Sequence, residues 1–332
     1  MKTDKSDILS LLRNSKEYVS GQQICEQFGV SRTAVWKVIN QLKEEGYQIE
    51  SVTNKGYRFI ESPDILSQSE IASRLTTKWA GRKLYYSDET GSTNIDAKRY
   101  AEEGAPHGTT VVADMQNAGR GRRGKMWQSP AGSAIYMTIM LKPDFVPDKA
   151  SMLTLVMALS VADAITETTG LQTGIKWPND IVVNKKKVCG ILTEMNAELD
   201  YIQHVVIGVG INVNNGSPEE FPEEIRQTAT SLKIESGTQI CRAALIERVL
   251  FHFEKNYDTF VRFLDLSGIM EAYDKHLLNL DAEVKVLDPK GEYTGIARGI
   301  NATGELLVEK ENGDIVQVYA GEVSVRGLYG YV

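Results

Sequence analysis

Apolar residues recur at helical spacing three times within the first 46 positions and then begin to alternate. Ile8, Leu9, Leu11 and Leu12 form the first stripe. Ser20 with Gln23 three residues later reads as a capping box, opening a helix that carries Ile24 and Phe28 and stops at Gly29. Ser31 caps a third helix, with Val35, Val38, Ile39 and Leu42 as its stripe and Gly46 as its stop. The period then falls to two. Gln48 to Val52, a turn at Thr53–Gly56, and Tyr57 to Ile60 predict a hairpin. Helix, helix, short turn, helix and hairpin is the order of a winged helix-turn-helix, placed here at 1–62. The polar linker Glu61-Ser62-Pro63-Asp64 marks a boundary, because Pro63 biases Ser62 away from helix. A further helix, about Ser67 to Thr76, leads into the next domain.

A second domain, 66–279, mixes strands and helices. Thr109 to Asp114 and Ala134 to Leu141 read as strands, separated by a long polar stretch, Asn117 to Gly132, dense in glycine and arginine. A loop of that length inside a compact domain is usually functional or disordered. Ala150 to Thr168 predicts a helix that stops at Gly170. A meander follows: Gly174 to Trp177, Ile181 to Val183, Val188 to Met195 and Val205 to Val213. Helices are expected at about Gln239 to Phe263 and Ile269 to Leu278. The third part, 280–332, alternates in short runs with turns at Pro289-Lys290-Gly291, Thr303-Gly304 and Asn312-Gly313-Asp314. That pattern predicts a small SH3-like barrel. The fold class is α+β, with a central mixed α/β domain.

Composition is that of an ordinary soluble chain of 332 residues, and it sharpens the picture mainly by exclusion. Three cysteines, Cys25, Cys189 and Cys241, are far apart and odd in number, which argues against a disulfide framework or zinc site and fits a reducing cytoplasm. The start does not read as a signal peptide, and no apolar run is expected to span a bilayer. His107, His204, His252 and His276 show no metal spacing and are taken as structural. Net charge is -7, so any nucleic-acid contact must be local. Residues 1–60 hold nine basic and seven acidic side chains, which leaves +2 there and -9 on the remainder. Ser31, Arg32 and Thr33 open the third helix where base edges would be read. Lys37 lies further along it, and Lys55 and Arg58 lie on the wing, placed for phosphates. The alternative for this module is a winged helix used for protein contact. Its weak charge suggests that dimerisation is needed for tight binding.

Gly119-Arg120-Gly121-Arg122-Arg123-Gly124-Lys125 matches two familiar patterns badly. As a dinucleotide fingerprint it lacks the helix that should follow. As a P-loop it continues with Met126, which cannot ligate magnesium as serine or threonine does. What remains is chemically pointed: guanidinium groups clamp phosphate, and glycines let the backbone close over an anion and reopen. Alone, these residues support an anion-binding mobile loop, against the alternative of a solvated basic loop.

Taken with Trp127, this loop resembles the signature of biotin–protein ligases. So do Lys176-Trp177-Pro178-Asn179-Asp180 with Lys187 and Gly190-Ile191-Leu192, Gly91-Ser92-Thr93-Asn94, and Gly208-Val209-Gly210-Ile211-Asn212-Val213. The winged helix and the terminal barrel resemble the ligase/repressor branch of that family, so the likeness covers essentially the whole chain. It implies a class II synthetase-like central domain. The implied reaction joins biotin to ATP with Mg2+, then passes the biotinyl group to a lysine of biotin carboxyl carrier protein. The implied regulation is repression of the biotin biosynthesis operon, whose operator DNA is bound by an adenylate-loaded homodimer in the cytoplasm, with no membrane partner. An alternative is a ligand-sensing repressor without ligase activity, and a third reading is a lipoate ligase.

Residue by residue, the resemblance implies that Ser92, Thr93, Asn94, Gln116, Arg120, Gly121, Arg122 and Lys187 hold biotin. It implies that Arg122, Arg123, Trp127, Lys176, Asn179 and Asn212 hold ATP or adenylate. Arg122, Lys187 and Asp180 are the catalytic candidates, with Mg2+ near Asp180 but no fixed metal site. Plainer readings stand beside these: Ser92 or Thr93 as a helix N-cap, Pro178-Asn179-Asp180 as a turn, and Lys185-Lys186-Lys187 as a solvated hairpin turn.

Overall fold

The computed structural model describes residues 5–288 and 291–319, and the backbone of 324–327. The chain forms two compact units, one of residues up to Thr76 with Cys241–Glu247, the other of Thr77–Ile240 with the residues from Arg248 onward.

The first unit contains α1 (Lys5–Asn14), α2 (Gly21–Phe28), α3 (Arg32–Glu44), β1 (Gln48–Val52), β2 (Gly56–Glu61) and α4 (Gln68–Arg74). The capping box forms in full: Gln23 N–H donates to Ser20 Oγ at 3.1 Å and Ser20 N–H to Gln23 Oε1 at 2.8 Å. Gly29 ends α2 in the left-handed region at φ 66, where a side chain would be strained. Ile8, Leu9, Leu12, Ile24, Val35, Ile39 and Leu42 are buried together as the core of the winged helix. The wing is fastened by reciprocal backbone bonds between Val19 and Tyr57, at 2.8 and 2.9 Å.

The break expected at Glu61–Asp64 lies inside this unit, and α4, expected in the second domain, belongs to the first. The reason is a buried carboxylate. Glu70 on α4 is 0% exposed. Its oxygens accept from Arg13 Nη2 at 2.7 and 2.9 Å, Arg74 Nε at 2.7 Å and Tyr47 Oη at 2.9 Å. Asp64 is held in turn by the Arg242 N–H and Nε, at 2.9 and 2.7 Å. The linker is therefore tied to the start of the helix that opens at Arg242.

The second unit is built on seven strands: β3 (Leu84–Thr90), β4 (Thr109–Gln116), β5 (Ala134–Leu141), β6 (Gly174–Lys176), β7 (Asp180–Val183), β8 (Lys186–Ala197) and β9 (Ile202–Asn212). Their order is β3-β4-β5-β9-β8-β7-β6, with β3 parallel to β4 and the other pairs antiparallel. The helices are α5 (Thr93–Glu102), α6 (Leu153–Thr169), α7 (Leu232–Ser236), α8 (Arg242–Phe263), whose first turn belongs to the other unit, and α9 (Met270–His276). Sequence pattern misses β3 and α7. In β3 only Leu84 is buried, so alternation is weak, and α7 is five residues long.

Adjacent residues of β8 show where the layers lie. Thr154 on α6 donates to Thr193 Oγ1 at 2.8 Å, while Asn94 on α5 donates to Glu194 Oε2 at 2.7 Å. Neighbours on a strand face opposite ways, so α5 and α6 cover opposite faces of the sheet. The segment Pro147–Thr169 is long and apolar enough to cross a membrane, contrary to the expectation from sequence, but 72% of its apolar window is buried within the molecule. It is the core helix of the α6 face. His276 Nε2 donates to Asp163 Oδ1 (3.2 Å) and His252 Nε2 to Glu167 Oε2 (2.6 Å). Both histidines clip helices to α6, and among the described residues no group of His, Cys, Asp and Glu could hold a metal ion.

The C-terminal part is an antiparallel sheet of β10 (Glu283–Leu287), β11 (Tyr293–Ile300), β12 (Leu306–Glu309), β13 (Ile315–Val318) and β14 (Ser324–Gly327), in the order β13-β12-β11-β10-β14. Pro289 and Lys290, used above in predicting a turn, lie outside the described residues.

Replacing Glu70 with alanine would leave Arg13 and Arg74 without their shared buried partner. Loss of one partner from a buried ion pair costs about 3–5 kcal/mol. Hydrogen-exchange protection of α1 and α4 in the full-length Glu70→Ala variant should fall accordingly. Unchanged protection would show that apolar packing alone holds α4.

Candidate active site

The site starts from three glycines on one face of the sheet. On one face, Gly208, Gly210 and Asn212 follow one another along β9, and Gly190, Leu192 and Glu194 along β8. The register puts Gly190 opposite Gly210 and Leu192 opposite Gly208. On the other flank, Tyr136 of β5 pairs with Gly210 and Thr138 with Gly208. Two large groups use the space. Asn94 lies over Gly208, where a Cβ would collide with its amide. Trp127 lies over the Gly190–Gly210 pair, where a Cβ on Gly210 would come within 2.8 Å of its ring. The Trp127 indole N–H is buried and has no hydrogen-bond partner.

Above this floor is a cavity of about 620 Å³. The Gly119–Lys125 loop forms one wall as a small hairpin: Trp127 N–H donates to Gly119 O at 3.0 Å and Gly121 N–H to Lys125 O at 2.7 Å. Arg123 takes a positive φ of 57 at its tip. Arg120, Arg123 and Lys125 are exposed. Arg122 instead turns inward, and its Nη1 donates to Asn179 Oδ1 at 2.8 Å. Burial pulls its guanidinium below the ordinary value, a shift that the nearby Asp180 carboxylate opposes.

The Lys176–Asp180 turn forms a second wall. Lys187 Nζ pairs with Asp180 Oδ1 at 2.6 Å and stands 5.3 Å from the centre of the Trp127 ring. Asn179 Nδ2 donates to Ile191 O at 3.1 Å. The turn is anchored from below by Trp177, 2% exposed, whose indole N–H donates to Gly304 O at 3.1 Å in the C-terminal part.

All fourteen residues expected at the biotin and ATP sites line this single cavity: Ser92, Thr93, Asn94, Gln116, Arg120, Gly121, Arg122, Arg123, Trp127, Lys176, Asn179, Asp180, Lys187 and Asn212. Their states differ. Ser92 occupies the N-cap position of α5 without making a side-chain cap bond. Thr93 donates through N–H and Oγ1 to Gln116 Oε1, at 2.9 and 3.1 Å. Asn94 is already engaged: Thr138 Oγ1 donates to its Oδ1 at 2.7 Å, while its Nδ2 donates to Glu194 and, at 3.4 Å, to Leu192 O. Asn212 Nδ2 donates to Thr230 O at 3.0 Å.

Sequence reading missed the residues that fix these groups. Burial pushes the Glu194 carboxyl up, but hydrogen bonds from Lys98 and Asn94, with the charges of Lys98 and Arg120, bring it below the usual range. The signal for Glu194 was available, because it continues the alternate row of Gly190 and Leu192. The opposite wall, which includes Asn215, Phe221, Ile225 and Thr228, carries no sequence motif. It is placed by bonds from Lys187 N–H to Thr228 O at 2.7 Å and from Thr230 N–H to Lys187 O at 2.9 Å.

In the first unit, Ser31 Oγ is occupied as the cap of α3, accepting from Ala34 N–H at 3.2 Å, and Arg32 Nη2 reaches Gln22 Oε1 at 2.9 Å. Thr33 and Lys37 are exposed on the same helix. On the wing Lys55 is exposed, whereas Arg58 is paired with Glu50 at 2.7 Å and packs 4.8 Å from the Tyr18 ring centre.

Three family models match in chain order: an HTH domain at residues 5–58, the biotin/lipoate A/B protein ligase family at 86–212, and a biotin protein ligase C-terminal domain at 280–326. The bifunctional ligase/repressor BirA of Bacillus subtilis is 42% identical over 97% of this chain and 99% of its own length. That of Escherichia coli is 30% identical over 96% of each chain. The biotin protein ligase from Aquifex aeolicus, solved in complex with biotin and ATP, superposes with a TM-score of 0.65 at 33% identity, covering 74% of this chain and 99% of that one. On identity that extends through the winged helix, the glycine-floored cavity and the C-terminal sheet, this chain belongs to the bifunctional biotin–protein ligase/repressor family.

Proposed function

We propose that this chain condenses biotin with ATP to biotinyl-5′-AMP, transfers the biotinyl group to a lysine of biotin carboxyl carrier protein, and represses transcription as an adenylate-loaded dimer in the cytoplasm. One observation carries the enzymatic reading: fourteen residues from separate stretches of sequence line one cavity. We keep three functional parts, 1–62, 66–279 and 280–332, although α4 packs with the first.

In this reading the uncapped Ser92 hydroxyl, Thr93 and Gln116 face the ureido end of biotin. Asn94 acts mainly as a buttress, because its amide is engaged by Thr138 and Glu194. Arg122 and Lys187 meet the carboxylate and the α-phosphate, where a charge-assisted clamp counts for most in a partly buried setting. Arg120, Arg123 and Lys125 are available for the remaining phosphate charge. Trp127, Lys176, Asn179 and Asn212 line the nucleotide side. Mg2+ would enter on the phosphates of ATP, with Asp180 as a carboxylate on the wall.

For transfer, Asp180 already holds one ammonium, that of Lys187. When Lys187 turns to the acyl phosphate, Asp180 is released to orient the acceptor lysine. The acceptor Nζ, as the neutral amine, then forms the amide bond as the acyl–oxygen bond to AMP breaks, with AMP leaving and the proton from the nitrogen passing to Asp180. Closure of the Gly119–Lys125 hairpin would keep water from the mixed anhydride.

The direct test is biotin-dependent exchange of pyrophosphate into ATP. Its absence would leave only a ligand-sensing repressor. Arg122→Gly should still form adenylate but release it at least ~10-fold faster, since a charged hydrogen bond is worth about 1.5–3 kcal/mol. Retention equal to wild type in a rapid-filtration assay would remove Arg122 from its role. Gly210→Ala, which drives a methyl into Trp127 on the nucleotide side, should raise the KM for ATP by roughly fivefold or more, given an overpacking cost of about 1–3 kcal/mol. Operator affinity should rise when biotin and ATP are added together. A gel-shift titration that shows no change would reject the regulatory half of the proposal.

A further inference from the structure

The chain has four tryptophans, and three are held by the fold. Trp177 is buried, Trp127 lies against the glycine strip, and Trp79 packs edge-on to His107 and Tyr257. Trp36 is different. It sits on α3 and is 57% exposed, with no stacking, cation–π or hydrogen-bond partner among the described residues. Val35 and Ile39 on the same helix are each 1% exposed and supply the packing that fixes α3. Trp36 therefore points away from the core, and the fold gains little from its indole.

The surroundings select the occupant. Arg32 lies one turn before Trp36, Lys37 directly after it, and both are exposed. A tryptophan flanked by cations suits a polyanion better than an apolar protein surface. It also lies in the N-terminal half of the helix that a winged helix-turn-helix inserts into the major groove, where base edges are read. Only one base carries an apolar group on that edge, the C5-methyl of thymine.

We propose that Trp36 reads thymine by packing its indole on the C5-methyl group in the major groove of the operator. The proposal rests on the reading of the first unit as DNA-binding and names the residue and the base group that give it an apolar element of specificity.

The test uses the full-length protein with biotin, ATP and Mg2+. Duplexes are first selected from a randomised pool with wild-type protein. Each thymine of the selected site is then replaced in turn by deoxyuridine, which removes only the methyl group. A buried methyl is worth about fourfold in affinity. Wild type should lose about that factor at one or two positions. Trp36→Ala should bind the thymine duplex on the order of tenfold more weakly and be indifferent to deoxyuridine at those positions. Trp36→Phe should keep part of the sensitivity, which separates lost contact from lost fold, and far-UV circular dichroism should match for all three proteins.

Wild-type affinity in Trp36→Ala would overturn the proposal. So would equal weakening on thymine and deoxyuridine duplexes, or altered self-association with unaltered DNA binding. If wild type selects no duplex, the DNA-binding reading falls and this assignment with it. A selected site that ignores every deoxyuridine sinks only the role of Trp36.

Discussion

The arrangement of the cavity depends on one register. Because Gly190 pairs with Gly210 across β8 and β9, two residues without side chains meet on the same face of the sheet. That absence lets Trp127 lie on the backbone and lets Asn94 approach Gly208 from α5. A slip of one residue would bring Val209 and Ile211 to this face and fill the site with side chains. The loop, the Lys176–Asp180 turn and the first turn of α5 are all placed relative to this floor.

The second constraint is charge. Six cationic side chains around one cavity would repel one another unless some were neutralised. In this structure Lys187 is paired with Asp180, and Arg122 is held by Asn179, itself fixed to Ile191 O. Asn179 is a neutral acceptor, so an anion can displace it from Arg122, and both partners keep the cations oriented until then. Arg120, Arg123 and Lys125 are exposed to solvent on the loop. The wall is thus divided between inward-held and solvent-exposed charge.

The first unit solves a different problem. Its winged helix is small, and a buried Glu70 with two arginines and a tyrosine extends it through α4. Buried charge is costly to leave unpaired, so this cluster defines the edge of the unit more sharply than the proline-containing linker does. Local chain stiffness at Pro63 and the limit of cooperative packing are separate properties, and they fall at different residues.

Local signals were legible in the sequence wherever neighbours along the chain decide the conformation. The Ser20–Gln23 box, Gly29, the α3 stripe and the β5 boundaries all emerge as read, because capping, left-handed glycine and period depend on a few adjacent residues. The motifs around Gly119, Lys176 and Gly208 likewise marked most of the cavity. Tertiary structure alone decided the rest. Edge strand β3 has too little buried surface to show a period, and the wall at Asn215–Thr228 is positioned by backbone bonds to Lys187. Asn94 is legible as a polar residue, but only the approach of Thr138 and Glu194, 44 and 100 positions away, shows that its amide is spoken for. Sequence determined which groups are available. Contacts between residues distant in the chain determined which of them remain free to meet a ligand.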